Sequence, residues 1–486
     1  MSTEKVLEPK ASELSWTLMC VSVASGTMSI QYGYYLWIVY SPTVIVQDFY
    51  NLTIAESLND PNANMFFMGV TIALFPLGGI FGAIAVGCLM DRLGRKCTLM
   101  ITNILSVASA VSMSASNVIQ TYEFIMFTRL YTGICIGILA GAVPIYLGEI
   151  SPRRLRGSIV MIFHFFLSIG VLLAQILALR EILGTKKGWG IIMGVIAVVP
   201  AIQIFLVPFY PESPRYLMIQ KRDEENARKV LQLLRGRDNV ESEMEELRQE
   251  DISEKSEKQM NSLKLLSNQS LRGNVIMVIV LMTGQQLIGA NAAYYYTERI
   301  LMTMKVEVDK IRYISIGTTL LIIATVVLAL FTMDSVGRRP LLLIGFGICT
   351  ITSLLLIITL RLQADFPVMT YFSTVFVDIY FTGYALAPSP IPSILTIELF
   401  SQSSRASAFV IAGFVQWLLN FLTGVTFLQL ETRIGSFSFL IFCPICAAVF
   451  VYIFKFVPET KKMTFLDIRR AMAIRTARKV QVKSNK

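Results

Sequence analysis

A charged six-residue pattern occurs twice in this 486-residue chain, half a chain apart. Asp91-Arg92-Leu93-Gly94-Arg95-Lys96 reads D-x-x-G-R-basic, and so does Asp334-Ser335-Val336-Gly337-Arg338-Arg339. Two further sets keep nearly the same offset. Glu149 with Arg156 is echoed by Glu398 with Arg405, and Pro211-Glu212-Ser213 by Pro458-Glu459-Thr460. One basic run of this kind is usually a solvated loop. Three acid/base sets recurring in one order, each beside an apolar run, indicate an internal duplication. In a membrane protein that pattern means two equivalent halves with the working site between them.

The membrane assignment needs no motif. Apolar residues make up 54% of the chain and charged residues only 16%, with a mean hydropathy of +0.61. A helix crossing the hydrocarbon needs roughly 20 apolar residues. About twelve such runs are present, near 14–40, 66–90, 97–117, 123–147, 157–180, 188–209, 271–300, 312–334, 340–362, 368–398, 405–430 and 434–457. Glycine and proline inside them are tolerated, because neighbouring helices satisfy the freed backbone groups. The expected fold is an all-α membrane protein of twelve transmembrane helices in two pseudo-symmetric six-helix bundles, residues 1–210 and 271–457. A polar linker with short helices (211–270) joins them, and a basic tail (458–486) follows.

Lys and Arg in the short loops set the orientation. They crowd at Arg92-Arg95-Lys96, Arg153-Arg154-Arg156, Arg338-Arg339, Arg405 and the tail from Lys461 to Lys486, whereas the alternate loops hold fewer, such as Lys186-Lys187, Arg361 and Arg433. Both termini, the linker and the tail are therefore expected to be cytoplasmic. The net charge of +10 fits attraction to the anionic inner leaflet, and no nucleic-acid recognition module accompanies it. The N-terminus lacks the short apolar stretch and small-residue cleavage site of a removable signal peptide. Asn51-Leu52-Thr53 is a glycosylation sequon in the first outward loop, whereas Asn268-Gln269-Ser270 lies on the wrong side. The seven cysteines have no framework spacing and read as buried thiols.

Within the linker, Tyr216–Leu234 has helical spacing of apolar residues with Gly236 as a stop, and Glu241–Lys258 reads as a short solvated helix or helices. No catalytic or nucleotide fingerprint occurs there. Nor does the chain show a nucleophile–base pair or a metal-ligand spacing, so neither an enzyme, a metal site nor a cofactor is expected.

The duplicated charges suit a latch. Each D-x-x-G-R-basic loop is short, so its glycine allows a tight turn while its arginine reaches an acid on a neighbouring helix end. The acids in reach are Glu149, Glu212, Glu398 and Glu459; the bases are Arg95, Arg156, Arg338 and Arg405, with Asp91 and Asp334 opening the loops. Arg–carboxylate pairs can close the cytoplasmic face and then separate. Partly exposed pairs contribute about 1 kcal/mol or less each, and several together bias a two-state equilibrium.

In span seven, Gln285, Gln286 and Asn291 are three amides in an apolar helix interrupted by Gly284 and Gly289. Neutral amides offer donors and acceptors to hydroxyl groups, though polar side chains in membrane helices also serve as helix glue. In span eleven, Gln416 and Asn420 are one turn apart, with Trp417 mid-span and available to stack on the face of a ligand ring. Ser389 lies between Pro388 and Pro390 on a kinked stretch of span ten.

These motifs resemble the sugar-porter branch of the major facilitator superfamily, the facilitative hexose transporters. D-R-L-G-R-K, E-I-S-P-R-R-L-R-G, P-E-S-P-R, G-Q-Q-L-I-G-A-N-A-A-Y-Y-Y, D-S-V-G-R-R, A-P-S-P-I-P and P-E-T-K run along nearly the whole chain. Ala387-Pro388-Ser389-Pro390 followed by Ser393, with no Trp after the segment, is more similar to the fructose-transporting class than to the glucose-selective one. Gln31-Tyr32-Gly33-Tyr34 and Ser401-Gln402-Ser403-Ser404-Arg405 agree with that placement. The resemblance implies the major facilitator fold, a plasma-membrane location and transport of a small neutral sugar. It places Gln285, Gln286 and Asn291 on the sugar, Tyr32 of span one beside them, Ser389 on a moving gate, and Tyr294, Tyr295 and Tyr296 at an outer gate.

The departures from that pattern are specific. His164, the only histidine, stands where fructose transporters have a substrate-binding Gln, and Tyr384 stands where they have a His. Tyr35, Trp37 and Tyr40 replace smaller or amide residues, Ile322 replaces an Asn and Ala387 a Gly, leaving a bulkier cavity with fewer hydrogen-bonding groups. Proton-coupled sugar porters carry an acid at the position of Tyr35, and a neutral phenol cannot cycle a proton near pH 7. Facilitated diffusion is the expectation. A proton-linked or urate-like anion carrier using His164 or Asp378, or a sugar sensor that does not transport, are the alternatives. Asp378 is read as lying near the outer end of span ten, beside Arg361 or water.

Overall fold

The computed structural model describes residues 14–40, 61–119, 121–179, 181–185, 188–255, 262–268, 271–290, 308–363, 365–434, 439–463, 467–468 and 470. The sequon at Asn51, the amide Asn291, the aromatic trio Tyr294–Tyr296 and most of the basic tail lie outside the described residues. Every described element is helical.

The first bundle comprises α1 (Trp16–Gly26), α2 (Ser29–Tyr40), α3 (Pro61–Leu93), α4 (Arg95–Ile119), α5 (Tyr122–Ile150), α6 (Arg156–Leu177), α7 (Trp189–Val195) and α8 (Val198–Leu206). Three short helices follow: α9 (Glu224–Arg235), α10 (Glu241–Lys255) and α11 (Ser262–Ser267). The second bundle comprises α12 (Arg272–Leu287), α13 (Val308–Val336), α14 (Arg338–Leu362), α15 (Met369–Leu386), α16 (Ile391–Leu399), α17 (Gln402–Ile434) and α18 (Phe439–Phe456). Eight stretches among the described residues are long and apolar enough to cross a membrane, one of them running through both α7 and α8. The other four spans are the broken or shorter ones: α1–α2, α12, α15–α16 and α18. Together they make the twelve expected.

The helices form because their apolar runs leave no alternative in lipid, where every backbone group must be paired internally. Large apolar side chains such as Phe81, Phe127, Phe205, Phe331 and Phe454 are exposed on the outside of the bundle, which suits hydrocarbon. Within the first bundle, α3 and α5 meet through facing G-x-x-x-G repeats, Gly78 with Gly82 and Gly133 with Gly137. A Cβ at Gly78 would lie 2.1 Å from the Leu130 carbonyl, and one at Gly133 would lie 2.1 Å from that of Phe75. Such close backbone approach is how membrane helices gain dispersion energy without a hydrophobic driving force. Across the halves α3 packs on α17 and α6 on α13, the exchange expected of duplicated bundles.

Two expectations are corrected. Tyr216–Leu234 is not one helix. A single π turn (Tyr216–Gln220) ends at Lys221, Arg222 adopts φ +57°, and α9 starts afresh. Asp223 accepts from the Asn226 amide at 3.1 Å, and Glu224 and Glu225 fill the first turn. This start signal overrides the apolar spacing across it. The stop at Gly236 is in place, with φ +62°. The thiols also divide: Cys135, Cys349, Cys443 and Cys446 are buried, whereas Cys20, Cys88 and Cys97 are exposed.

Candidate functional site

A cavity of about 140 Å³ lies between the two halves. From the first half it is lined by Tyr32 and Leu36 of α2, Pro144 of α5, and Phe163, His164, Ser168 and Val171 of α6. From the second come Met282, Gln285 and Gln286 of α12, Thr319, Ile322 and Val326 of α13, Phe381, Tyr384, Ser389 and Ser393 around the α15–α16 break, and Gln416 and Asn420 of α17. No aspartate, glutamate, lysine or arginine is among these residues. The wall is neutral and amphiphilic: apolar faces interrupted by amides, hydroxyls and one imidazole.

The break between α15 and α16 is a consequence of two prolines. Pro388 and Pro390 have no N–H to donate, so the helix cannot continue. Ser389 N–H instead reaches the Tyr384 carbonyl at 3.0 Å, and Ile391 N–H that of Ala387 at 3.0 Å. The Ser389 carbonyl, released from the helix, accepts from Gln285 Nε2. Because that amide nitrogen must face a carbonyl, its oxygen is the end left over. Gln285 Oε1 is buried with no hydrogen-bond partner among the described residues.

His164 and Ser393 approach across the cavity, Nε2 to Oγ 3.5 Å. Ser393 Oγ donates its proton to the Pro390 carbonyl at 2.8 Å, so it can only accept from the ring. The hydrogen bond therefore selects the tautomer protonated on Nε2 and leaves Nδ1 as an acceptor. Gln285 Oε1 and His164 Nδ1 are thus two acceptors without a donor among the described residues, and they suit a ligand that donates.

Trp417 departs from its expected place. It is 1% exposed, does not line the cavity, and packs behind Tyr32 and Phe75 at ring-centroid distances of 5.8 Å each. Gly79 admits it: a Cβ there would fall 2.3 Å from the indole. Its direct contact is with Tyr32, which does line the cavity. Asp378 accepts from Thr318 Oγ1 of α13 at 2.9 Å.

The duplicated charges converge on the basic face in matching geometry. Arg95 grips Glu149 with two parallel bonds of 2.8 and 2.9 Å, and Arg338 meets Glu398 at 2.7 and 3.2 Å. The backbone N–H of Arg95 reaches Glu212 at 3.1 Å, and that of Arg338 reaches Glu459 at 3.0 Å. Both motif glycines are left-handed, Gly94 at φ +86° and Gly337 at φ +108°. A Cβ at either would run into the carboxylate of Glu212 or Glu459. Burial pushes the Glu212 carboxyl above its ordinary range, against the pull of the Ser213, Lys96 and Arg95 N–H groups and the Arg95 charge.

Other contacts join the halves. Arg405 Nη1 lies 3.4 Å from Glu149, and its Nη2 lies 3.9 Å from Glu250 of α10. Asp334 holds both Arg338, at 2.9 Å, and Ser158 of the opposite half. Asp91, its counterpart, has one buried carboxylate oxygen with no hydrogen-bond partner among the described residues. Arg156 is buried but forms no ion pair among the described residues, and its Nε is unsatisfied. Its expected pairing is not made in this state. The basic face is closed.

Glu250, Ser158, Ser168 and Thr319 did not stand out in the sequence. Glu250 lies in a run of acids, and the hydroxyl residues carry no spacing signal; only three-dimensional placement distinguishes them.

A neutral cavity between duplicated halves, closed on one side by separable ion pairs, defines a membrane transporter of the alternating-access type. The model of the Sugar (and other) transporter family matches residues 19–472, and the chain belongs to that family. It is 43% identical over 452 residues to the human solute carrier family 2, facilitated glucose transporter member 5, covering 92% of this chain and 90% of the relative. The mouse member 5 is 42% identical over 477 residues (97% and 95%), and the mouse member 7 is 39% identical over 480 (98% and 94%). Among solved structures, the proton:xylose symporter XylE bound to 6-bromo-6-deoxy-D-glucose superposes with a TM-score of 0.82 at 21% identity, covering 94% of this chain and 99% of that one. Family membership makes the chain a transporter and not an enzyme.

Proposed function

We propose that this protein is a uniporter for a neutral hexose, favouring fructose over glucose and working by alternating access. The observation that carries the proposal is the cavity lining, which among the described residues offers amides, hydroxyls and an imidazole and no aspartate, glutamate, lysine or arginine. An anion such as urate would meet no countercharge there, and a proton-coupled cycle would lack a cavity acid. Gln285, Gln286, Tyr32, His164, Tyr384, Ser389, Gln416 and Asn420 bind the sugar, joined by Asn291, with Tyr294–Tyr296 as the outer gate. The fructose preference rests on the resemblance of Ala387-Pro388-Ser389-Pro390 and Ser393 to the fructose-transporting class. The names of the relatives, facilitated glucose transporters, support facilitated flux.

The ion-pair cluster is the cytoplasmic latch of this cycle. Residues 1–210 and 271–457 rock about the sugar while 211–270 and the tail stay on the cytoplasmic side, the tail against the anionic leaflet. The protein works in the plasma membrane, and Asn51 carries a glycan. Vesicle uptake of labelled fructose, glucose, galactose and urate, with and without a pH gradient, tests the proposal. Gradient-independent fructose flux is expected. Gradient-driven flux, or urate uptake without hexose uptake, would replace it with the proton-linked or anion reading, and no flux with a sensor.

A further inference from the structure

Two helices from opposite halves, α6 and α13, run side by side and are joined at both ends. At the basic face Asp334 accepts from the Ser158 N–H. At the opposite end Arg312 of α13, half-buried, donates from Nη1 to the Ala178 carbonyl at 3.1 Å. Ala178 is the C-cap of α6, so its carbonyl lies past the helical ladder, at the negative end of the dipole, where a guanidinium is favourable.

Both residues continue stripes that line the cavity. On α6, His164, Ser168 and Val171 face it, and the same steps of three and four residues lead on to Gln175 and Ala178. On α13, Val326, Ile322 and Thr319 face it, and those steps lead on through Ser315 to Arg312. Gln175 is 4% exposed, and its Oε1 is buried with no hydrogen-bond partner among the described residues. The α6 stripe therefore carries two acceptors one turn apart, about 5 Å. Arg312 holds the outer one, the Ala178 carbonyl, and the inner one, the Gln175 amide oxygen, has no donor. A buried amide oxygen left so is costly. Ser315, whose hydroxyl donates to the Ile311 carbonyl, does not relieve it.

Rocking that parts Asp334 from Ser158 brings the far ends of the same two helices together. Arg312 must then move along α6. Outward the way is blocked, because the chain after α6 folds back over the Ala178 carbonyl and a Cβ at Gly184 would lie 2.1 Å from that oxygen. Inward lies Gln175.

We propose that Arg312 is a two-position strap, bonded to the Ala178 carbonyl while the basic face is closed and to Gln175 Oε1 once that face opens. The step is a swing of the guanidinium by one turn. It rests on the alternating-access reading, and it makes Gln175 a positioning residue of the second state.

The test places Ala140→Cys on the cavity wall of the full-length protein in sealed vesicles of either orientation. Labelling by an impermeant thiol reagent is read above that of the protein without this cysteine. Gln175→Leu, which removes the acceptor at similar volume, should lower labelling from the basic face about tenfold. Gln175→Glu, which sets a charge opposite Arg312, should raise it about tenfold. Both effects should vanish in an Arg312→Met background. A structure of the basic-face-open state should show Arg312 within hydrogen-bond reach of Gln175 Oε1, which keeps the proposal testable if Arg312→Met fails to fold. Shifts in the same direction from the two Gln175 variants, no shift in either, shifts that persist in Arg312→Met, or a guanidinium still on Ala178 in the open state would overturn the strap alone, provided the parent is labelled from both faces. A parent labelled from one face only would overturn the alternating-access reading and the strap with it.

Discussion

Asp334, at the end of α13 in the second half, accepts two hydrogen bonds from Ser158 in the first turn of α6, the backbone N–H at 2.9 Å and the hydroxyl at 2.5 Å. An acid in one half thereby caps a helix N-terminus in the other. The cap also sits on the positive end of the α6 dipole, where a carboxylate is favourable. Nothing holds these groups together once the halves part, so the cap belongs to the closed state alone.

Ser158→Ala removes the hydroxyl but leaves the backbone donor. The loss of about 1 kcal/mol should shift the closed-to-open ratio on the basic face about fivefold toward open. Asp334→Ala should shift it further, because Arg338 loses a partner as well. Labelling of a cysteine placed in the cavity, by an impermeant thiol reagent supplied from the basic face, reads the population. Unchanged labelling in both variants would show that the cap is incidental to gating.

Arg405 and Arg156 occupy equivalent places in the duplicated sequence but not in the structure. Arg405 bonds Glu149, Gln402 and the carbonyls of Ile397 and Phe400, whereas Arg156 has no ion pair among the described residues. Arg405→Ala should therefore open the basic face and raise labelling strongly. Arg156→Ala should leave the closed state as stable or more so, since it removes a buried, poorly satisfied charge. Equal effects from the two variants would contradict this asymmetry.

How much of this was legible in the sequence follows from where the information lies. The duplicated motifs named Arg95, Glu149, Arg338 and Glu398 because their chemistry demands charge in apolar surroundings, and charge in a membrane sequence is conspicuous. Gln285 and Gln286 were conspicuous as adjacent polar amides in an apolar helix. The role of Trp417 was not, because an aromatic in a membrane helix reads alike whether it faces a cavity or packs behind Tyr32. Nor could the sequence distinguish Arg156 from Arg405, since pseudo-symmetry makes them equal until one conformation is chosen. The G-x-x-x-G repeats at Gly78 and Gly133 carry a spacing signal, but which helices they join is fixed only in three dimensions.

Trp417 yields a prediction that separates packing from stacking. Trp417→Ala should cost about 3–5 kcal/mol of stability and free the Tyr32 ring. Trp417→Phe keeps part of the contact with Tyr32 and Phe75 and should retain sugar uptake with a modest rise in KM. Complete loss of sugar binding in a well-folded Trp417→Phe protein would indicate direct stacking in another state of the cycle. Tryptophan fluorescence quenching by sugar, compared between parent and variant, supplies the second readout.

Gln285→Ala should abolish most uptake while the protein still reaches the membrane. The side chain has two ends: Nε2 holds the Ser389 carbonyl at the α15–α16 break, and Oε1, without a partner among the described residues, is the acceptor that the proposed binding mode gives to the sugar. Losing either buried bond costs about 1–3 kcal/mol. Gln285→Glu separates them, since a carboxylate accepts but cannot donate to Ser389. It should impair the break while keeping an acceptor for the sugar. Normal transport by both variants would make Gln285 helix glue and place the sugar elsewhere.

His164 and Ser393 form the cross-cavity contact from which the last prediction follows. Ser393 can only accept from the ring, so Nδ1 is left as an acceptor, which the proposed binding mode gives to the sugar. A hydroxyl on the sugar must then donate, and a fluorine in its place cannot. Among deoxyfluoro analogues of the transported hexose, one position should lose about 1–2 kcal/mol of binding in the parent. His164→Gln can retain the approach to Ser393 through its amide nitrogen and offer its oxygen in place of Nδ1, so it should transport and shift the fructose-to-glucose ratio toward fructose. Ser393→Ala releases the ring to adopt either tautomer, which should soften the fluorine penalty without abolishing uptake. Because no aspartate, glutamate, lysine or arginine lines the cavity among the described residues, transport by the parent and by His164→Gln should vary little between about pH 6 and 8. A steep pH dependence in the parent that disappears in His164→Gln would instead make the imidazole a proton carrier and overturn the uniport reading.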